Sequence, residues 1–290
     1  MRSLLLVSTA DEAKLIDALD SGADGLCLDL ADRASAADKA RARKNAGDLL
    51  CAAKAKARRP RLYVRVNGLD TAPIDDDLDA VMPYAPDGVV LPKCLNGQAL
   101  QHLGAKLAVK EAQCGLPDGS TRIVAIAAAT AASIFYIGSF AGASRRLMAL
   151  SWSADELSAA LGAERSRDSD GVYTAPYVLA RSLTLCAARA ADALAIDAAS
   201  LKAPDGAGLR LDCEAARRDG FDGKLAIDRG QVEIINAVFT PTEAAVARAR
   251  AVIAAFAAEP FAATLDLDED ILSSADVSQA RRLLRRLPKA

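Results

Sequence analysis

The chain has 290 residues, with 36 Lys and Arg against 38 Asp and Glu, and a formal net charge of −2. That balance argues against a nucleic-acid or anionic-membrane partner, which needs a basic surface. Hydrophobic residues make up 52% of the chain, which excludes disorder, and the length fits one large α/β domain or two smaller ones.

Short apolar segments alternate with longer helical patterns along the whole chain. The predicted strands are residues 3–7, 25–30, 61–66, 88–91, 122–127, 146–150, 194–197 and 224–227. The predicted helices are residues 11–20, 35–57, 74–82, 98–111, 175–191, 211–218, 229–237 and 242–258, with two more beginning near 130 and 154.

The predicted strands are continuously apolar, which is typical of a parallel sheet covered by helices. Eight strand-then-helix units predict a closed (β/α)8 barrel, a TIM barrel. A doubly wound open sheet is the alternative, but residues 7–10 lack the glycine-rich turn that such folds carry after their first strand. We expect the barrel to span residues 1–260, followed by a C-terminal helical tail, residues 261–290, that packs on the barrel or on a neighbouring subunit.

Apolar runs, cysteines and the single histidine restrict the remaining possibilities. Residues 4–7 are too short for a signal-peptide core, and residues 123–137 are too short to span a bilayer, so we expect a soluble cytoplasmic protein. Without a C-x-x-C pair, the six cysteines predict reduced, mostly packed thiols. His102 is predicted to lie on a helix surface, which argues against a Ser-His-Asp triad or a multi-histidine metal site.

Catalytic residues of such barrels come from the carboxyl ends of the strands. Arg65 can clamp a carboxylate through two hydrogen bonds, or it can form an ion pair with Asp29 or Asp32 on the neighbouring strand. Lys93 carries the same two interpretations, and Asp197 either caps the loop after strand 7 or belongs to the site. Together these side chains predict a site for an anionic acid or acyl substrate.

Several sequence blocks, in a fixed order and spacing, carry a resemblance to a known family. They are RSLLLVSTADEAKLIDALDSGADGLCLDLAD, YVRVNGLDT, DGVVLPK, LSWSADELSAALGA, GFDGKLAI and QVEIINAVFTP. Over nearly its whole length the chain resembles the citrate lyase beta-subunit family, within the HpcH/HpaI aldolase superfamily.

The resemblance implies a TIM barrel, usually trimeric, that cleaves or forms carbon–carbon bonds in short acyl-CoA thioesters such as citryl-, malyl- or citramalyl-CoA. In that family a Glu at the end of strand 5 and an Asp after strand 6 hold Mg²⁺, which stabilises enolate-like charge. An Arg after strand 3 binds the acid. An Asp from a neighbouring subunit's C-terminal segment assists proton transfer.

Carried over by position, the resemblance matches the substrate-binding residues but not the catalytic ones. The matching residues are Asp29, Asp32, Arg65, Asn67 and Lys93. Ala129 stands where the family has its metal-binding Glu, and the strand 6 motif is swapped to Asp155-Glu156. Ser273 stands at the usual catalytic Asp position. The family's Leu-Glu-Asp and Ile-His-Pro motifs are also altered, at Ala31 and at Asp228-Arg229.

The missing carboxylate predicts that Mg²⁺ is not held at the usual position, since Mg²⁺ needs carboxylate oxygens to offset its dehydration. The alternative is weak binding through Glu156, with Asp155 or Asp29 assisting. Three functions remain open. They are a lyase with a weak or relocated metal site, a non-catalytic relative that binds a small acid or acyl-CoA, and a structural partner of an active paralogue.

Overall fold

The computed structural model describes residues 1–31, 35–56, 58–71, 73–200, 206–267 and 270–287. Eight parallel strands follow one another around a closed barrel, and β1 pairs with β8 to complete it. The strands are β1 Ser3–Ser8, β2 Gly25–Asp29, β3 Arg61–Arg65, β4 Gly88–Leu91, β5 Arg122–Ala128, β6 Leu147–Trp152, β7 Leu194–Asp197 and β8 Gly223–Ala226. The predicted (β/α)8 barrel is therefore confirmed.

The helices cover the outside of the barrel. They are α1 Glu12–Ala18, α2 Ala36–Lys54, α3 Ile74–Val81, α4 Gly97–Gln113, α5 Ala131–Tyr136, α6 Ala154–Leu161, α7 Ala175–Ala190, α8 Gly206–Asp219, α9 Arg229–Phe239, α10 Glu243–Ala258 and α11 Ser274–Leu284. α8 begins five residues before its predicted start at residue 211. No helix in the described part of the chain has the length and apolarity that a membrane crossing needs.

The strands are mainly apolar because both of their faces are buried. On β2, Leu26 and Leu28 pack in the large cluster between the strands and the helices. Cys27, between them, belongs to a second cluster that fills the barrel interior, together with Tyr63 and Val124. Parallel strands covered on both sides show this pattern rather than a strict alternation of polar and apolar residues.

The single histidine and the six cysteines lie partly on the surface and partly in the interior. His102 is exposed on α4, as predicted. Cys27, Cys94 and Cys213 are buried, and all six cysteines are free thiols. Cys114 is half-buried, and Cys51 and Cys186 are exposed on alanine-rich helices, so most of the thiols are packed, as predicted.

A buried charge network joins β6, β7 and β8 beneath the carboxyl end of the barrel. Asp197 and Lys224 are register partners, and the Lys224 ammonium lies 2.9 Å from the Asp197 carboxylate. Trp152 Nε1 donates to the same carboxylate at 2.8 Å, and Arg181 Nε donates at 3.1 Å. Burial alone raises the pKa of Asp197, but Lys224 and Arg181 lower it overall. The prediction that Asp197 caps the loop after β7 was wrong, because these three donors take its carboxylate.

The C-terminal tail contains more than the predicted helix. β9 Thr264–Leu267 and β10 Asp270–Ser273 form an antiparallel pair ahead of α11. Leu272 and Ala280 pack against Val252 and Ala249 of α10, so the tail has a small apolar core of its own. That core holds α11 on the same chain's α10.

A buried ion pair lies at the amino-terminal end of the barrel, between α4 and the start of β6. The two terminal nitrogens of Arg146, Nη1 and Nη2, each donate to one oxygen of the Glu111 carboxylate at 2.8 Å. The backbone N–H groups of Thr121 and Gly119 donate to it as well, at 2.7 and 2.9 Å. Burial alone raises the pKa of Glu111, but these hydrogen bonds outweigh it and lower the pKa to about 2.

Glu111→Gln tests how much this pair contributes to folding. A carboxyl whose pKa is lowered in the folded state stabilises the protein above its usual pKa of 4.5, and this contribution disappears as the pH falls toward 2. We expect a loss of about 3 kcal/mol at pH 7 and a difference from the parent chain that narrows between pH 4.5 and 2. Urea unfolding at several pH values measures this. Asp48→Asn, in the exposed pair with Lys44, is the control and should have a much smaller effect. A difference that is constant with pH would contradict the assignment.

Candidate functional site

The candidate site lies at the carboxyl end of the barrel, where an arginine stands between two carboxylates. Arg65 and Asp29 end neighbouring strands and are register partners, with Arg65 Nη1 3.6 Å from Asp29 Oδ2. Arg65 Nη2 lies 3.1 Å from Oε1 of Glu156, in the first turn of α6. All three side chains are about four-fifths buried, at 17%, 17% and 21% exposed. The structure therefore shows the ion pair with Asp29 that the sequence left open, and adds Glu156.

Local hydrogen bonds hold the two carboxylates in place. Thr9 Oγ1 donates to the backbone carbonyl of Asp29, and the Asp29 carboxylate accepts the N–H of Ala31. Ser153 caps α6 and accepts the backbone N–H of Glu156, so Glu156 is fixed at the helix N-terminus, where the dipole favours its negative charge. Asp155, beside it in the first turn, is exposed.

Asn67, which follows β3, is hydrogen-bonded to a helix outside the barrel. Its side-chain amide donates to Asp77 of α3 at 2.7 Å, and its backbone N–H donates to the same oxygen at 2.8 Å. Arg43 of α2 donates to the other oxygen of Asp77. Asn67 thus fixes the loop after β3 to the helices outside the barrel, and its role in binding substrate stays a prediction.

Lys93 is exposed immediately after β4 and has a left-handed backbone, with φ +47°. Such a φ is uncommon outside glycine and costs free energy, so the surrounding structure must impose it. The next residue, Cys94, is buried and its N–H donates to the carbonyl of Ile126. Lys93 is therefore held at the barrel mouth by its backbone. Asp32, the remaining predicted binding residue, lies outside the described residues.

At the position where the resemblance places the metal, Ala129 and Glu156 supply one carboxylate between them, and that carboxylate is already paired. Ala129 follows β5, is 1% exposed, and its methyl packs with the apolar side chains of the barrel interior, such as Ile126. Glu156 is already paired with the positive guanidinium of Arg65, which repels a second cation. Among the described ranges, no group of three or more His, Cys, Asp or Glu side chains is arranged to hold a metal ion.

Ser273 has a structural task in the tail. It is the N-cap of α11 and forms a capping box with Asp276, whose carboxylate accepts both the backbone N–H and the hydroxyl of Ser273. These two hydrogen bonds lower the pKa of Asp276, so its carboxylate stays ionised and is a poor proton donor.

Sequence reasoning missed a polar residue inside the barrel wall. The hydroxyl of Ser151 on β6 is buried and has no hydrogen-bond partner among the described residues. Its neighbours Leu150 and Trp152 pack toward the helices, so Ser151 faces the barrel interior, and its register partner is Ile126. A single polar residue in the apolar run MALSW was the available signal.

Comparisons with known proteins identify the family to which the chain belongs. The profile of the HpcH/HpaI aldolase/citrate lyase family matches residues 2–229. Citrate lyase subunit beta of Leuconostoc mesenteroides subsp. cremoris is 29% identical over 286 residues, covering 98% of this chain and 92% of that protein. A (3S)-malyl-CoA thioesterase of Cereibacter sphaeroides is 31% identical over 255 residues, covering 88% of this chain and 82% of that protein.

A solved structure is similar over the whole chain. It is CitE from Mycobacterium tuberculosis in complex with magnesium, acetoacetate and coenzyme A. The two share 26% sequence identity with a TM-score of 0.75, over 98% of this chain and 97% of the other. The likeness extends past the barrel into the C-terminal tail.

The double variant Ala129→Glu with Glu156→Asp tests the positional match at strands 5 and 6. It places a carboxylate at the end of β5 and shortens the one on α6, so we expect it to gain Mg²⁺ binding. Thermal unfolding with and without MgCl₂, together with calorimetric titration, measures the gain. Ala129→Gln with Glu156→Asp is the control, since it has nearly the same shape without the new charge. If both variants respond equally to Mg²⁺, the match is wrong.

Proposed function

Because the chain belongs to the HpcH/HpaI aldolase/citrate lyase family, we propose that the carboxyl end of its barrel binds a small keto or hydroxy acid, or the short acyl-CoA thioester of such an acid. In this function the site binds the acid and does not catalyse Mg²⁺-dependent cleavage of a carbon–carbon bond. The observation that carries it is the placement of Arg65 between Asp29 and Glu156.

Arg65 supplies the positive charge that an acid needs. A guanidinium presents two parallel N–H donors, which match the two oxygens of a carboxylate, and its burial strengthens these bonds by excluding water. One of its nitrogens already contacts a carboxylate oxygen, Oε1 of Glu156. An incoming acid therefore displaces Glu156 from Arg65, and its own carboxylate accepts the hydrogen bond from the guanidinium in place of Glu156.

Two features favour binding over cleavage. The methyl of Ala129 cannot coordinate a cation, and Glu156 lies beside a guanidinium, so the donors that would hold a Lewis acid near the bound acid are incomplete. The position of the family's proton-transferring Asp carries Ser273, which caps a helix. A protein with these residues retains recognition of the acid and loses the groups that stabilise enolate-like charge.

The ligands of a related protein support this class of ligand. CitE from Mycobacterium tuberculosis has been solved with coenzyme A and acetoacetate, which supports an acid or acyl-CoA as the ligand class here. We further propose that the protein works in the cytoplasm as a homo-oligomer of three copies, as the family resemblance suggests. Association with an active paralogue is the other arrangement to test.

Arg65→Met should weaken the binding of oxaloacetate and acetoacetate at least about tenfold, because it removes a charged hydrogen-bond donor from a desolvated site. Isothermal titration calorimetry without added metal measures the dissociation constants. Arg61→Met changes the same residue type at the other end of β3 and is the control, with unchanged affinity expected. Unchanged affinity in Arg65→Met would contradict the proposed binding mode.

Glu156→Gln should tighten the binding of the same acids several-fold, because the carboxylate that competes for Arg65 becomes neutral. The control is Glu164→Gln, which neutralises an exposed carboxylate shortly after α6. Weaker binding in Glu156→Gln, with Glu164→Gln unchanged, would mean that Glu156 helps to hold the ligand rather than competing with it.

Turnover and co-purification separate this proposal from its alternatives. We expect no cleavage of citryl-, malyl- or citramalyl-CoA above background with or without MgCl₂. Cleavage at an ordinary enzymatic rate would favour the lyase, and stable co-purification with a paralogous barrel would favour the structural partner.

A further inference from the structure

We propose a second anion site at the amino-terminal end of the barrel, far along the strands from the candidate site, where arginines of α7 and α11 bind a single phosphate group. The site is a pocket between the end of α7, the start of β7 and the tail helix. Its lining includes Arg189, Asp192, Leu194, Asp222, Arg282 and Arg285.

The pocket carries an excess of positive charge. Counting Arg286 beside it, four guanidinium groups face two carboxylates in a chain whose net charge is −2. One oxygen of Asp222 accepts from both Arg189 and the backbone N–H of Ala195, each at 2.9 Å. Asp192 is 85% exposed and lies 3.8 Å from Arg285, so water screens that pair.

Arg286 shows that a hydrogen-bond acceptor is missing here. Its side chain is 15% exposed, and its Nε is buried with no hydrogen-bond partner among the described residues. The nearest carboxylate oxygen, on Asp222, is 3.8 Å away, which is beyond hydrogen-bond distance. Burial, together with the charges of Arg189 and Arg217, lowers the pKa of Arg286. Arg286 is not part of the pocket lining, but its positive charge, set beside Asp222 of that lining, adds to the attraction for an anion.

The chemistry and size of the pocket select the ligand class. Guanidinium groups bind phosphate through paired N–H donors, and several arginines can share its oxygens. The pocket is open on one side and encloses only about 10 Å³, which is room for about one water molecule, so one oxygen of a phosphate group fits inside it and the rest of the ligand lies over the arginines outside. Inorganic phosphate and a nucleotide phosphate share this chemistry. Either would link the end of α11, where Arg282 lies on the helix and Arg285 caps it, to the barrel through Arg189.

Phosphate titration tests the site in the full chain. Isothermal titration and thermal unfolding are followed with sodium phosphate, and with sodium chloride at equal ionic strength as the ion control. We expect saturable binding and a rise in Tm with phosphate only. Arg282→Gln and Arg285→Gln should each weaken binding at least about tenfold. Arg281→Gln, on the same helix but outside the pocket lining, should bind like the parent chain.

Other measurements distinguish the site and the source of the phosphate. Arg65→Met should leave phosphate affinity unchanged, and phosphate should slow tryptic cleavage within α11. Tighter binding of AMP than of inorganic phosphate, lost in Arg285→Gln, would assign a nucleotide phosphate, and equal affinity would assign the free ion. An equal response to chloride, equal binding by the Arg281 and Arg285 variants, or loss of binding in Arg65→Met would each overturn the proposal, whatever the outcome at the acid site.

Discussion

The chemistry of the barrel mouth depends on one arrangement of charge, the guanidinium of Arg65 between the carboxylates of Asp29 and Glu156. Three partly buried charges are stable together because each negative group lies beside the positive one. The same arrangement limits what else can bind. A divalent cation that approaches Asp29 or Glu156 meets the guanidinium of Arg65, which already pairs with both carboxylates.

Much of the fold was predictable because a parallel barrel requires a regular alternation of apolar strands and helices along the sequence. Both faces of each strand are buried, so β2 and β5 are continuous apolar runs, and helices of ten or more residues separate most strands. The β9–β10 pair escaped prediction because its strands have four residues each and only Leu272 is fully buried. α8 was placed too late because Gly206 and Gly208 weaken the helical signal at its start.

The candidate site was predictable in part. Strand-end position identified Asp29 and Arg65, and motif position identified Glu156, and these are the residues that the fold brings together. The partners of Asn67 and Asp197 were not predictable, because both depend on contacts that the sequence does not encode locally. Asp77 reaches Asn67 from α3, and Lys224 reaches Asp197 from the next strand of the barrel. Long-range ion pairs of this kind follow from the packing of the whole barrel.

The only tryptophan in the chain occupies an informative place. Trp152 ends β6, donates its indole N–H to Asp197, and meets the ring of Tyr173 edge to face at 5.1 Å between centroids. It also precedes Ser153, the cap that positions Glu156. Its fluorescence therefore reports on a single location without any added label. The emission wavelength and the quenching of this one indole depend on the packing and solvent access at the end of β6, next to the candidate site.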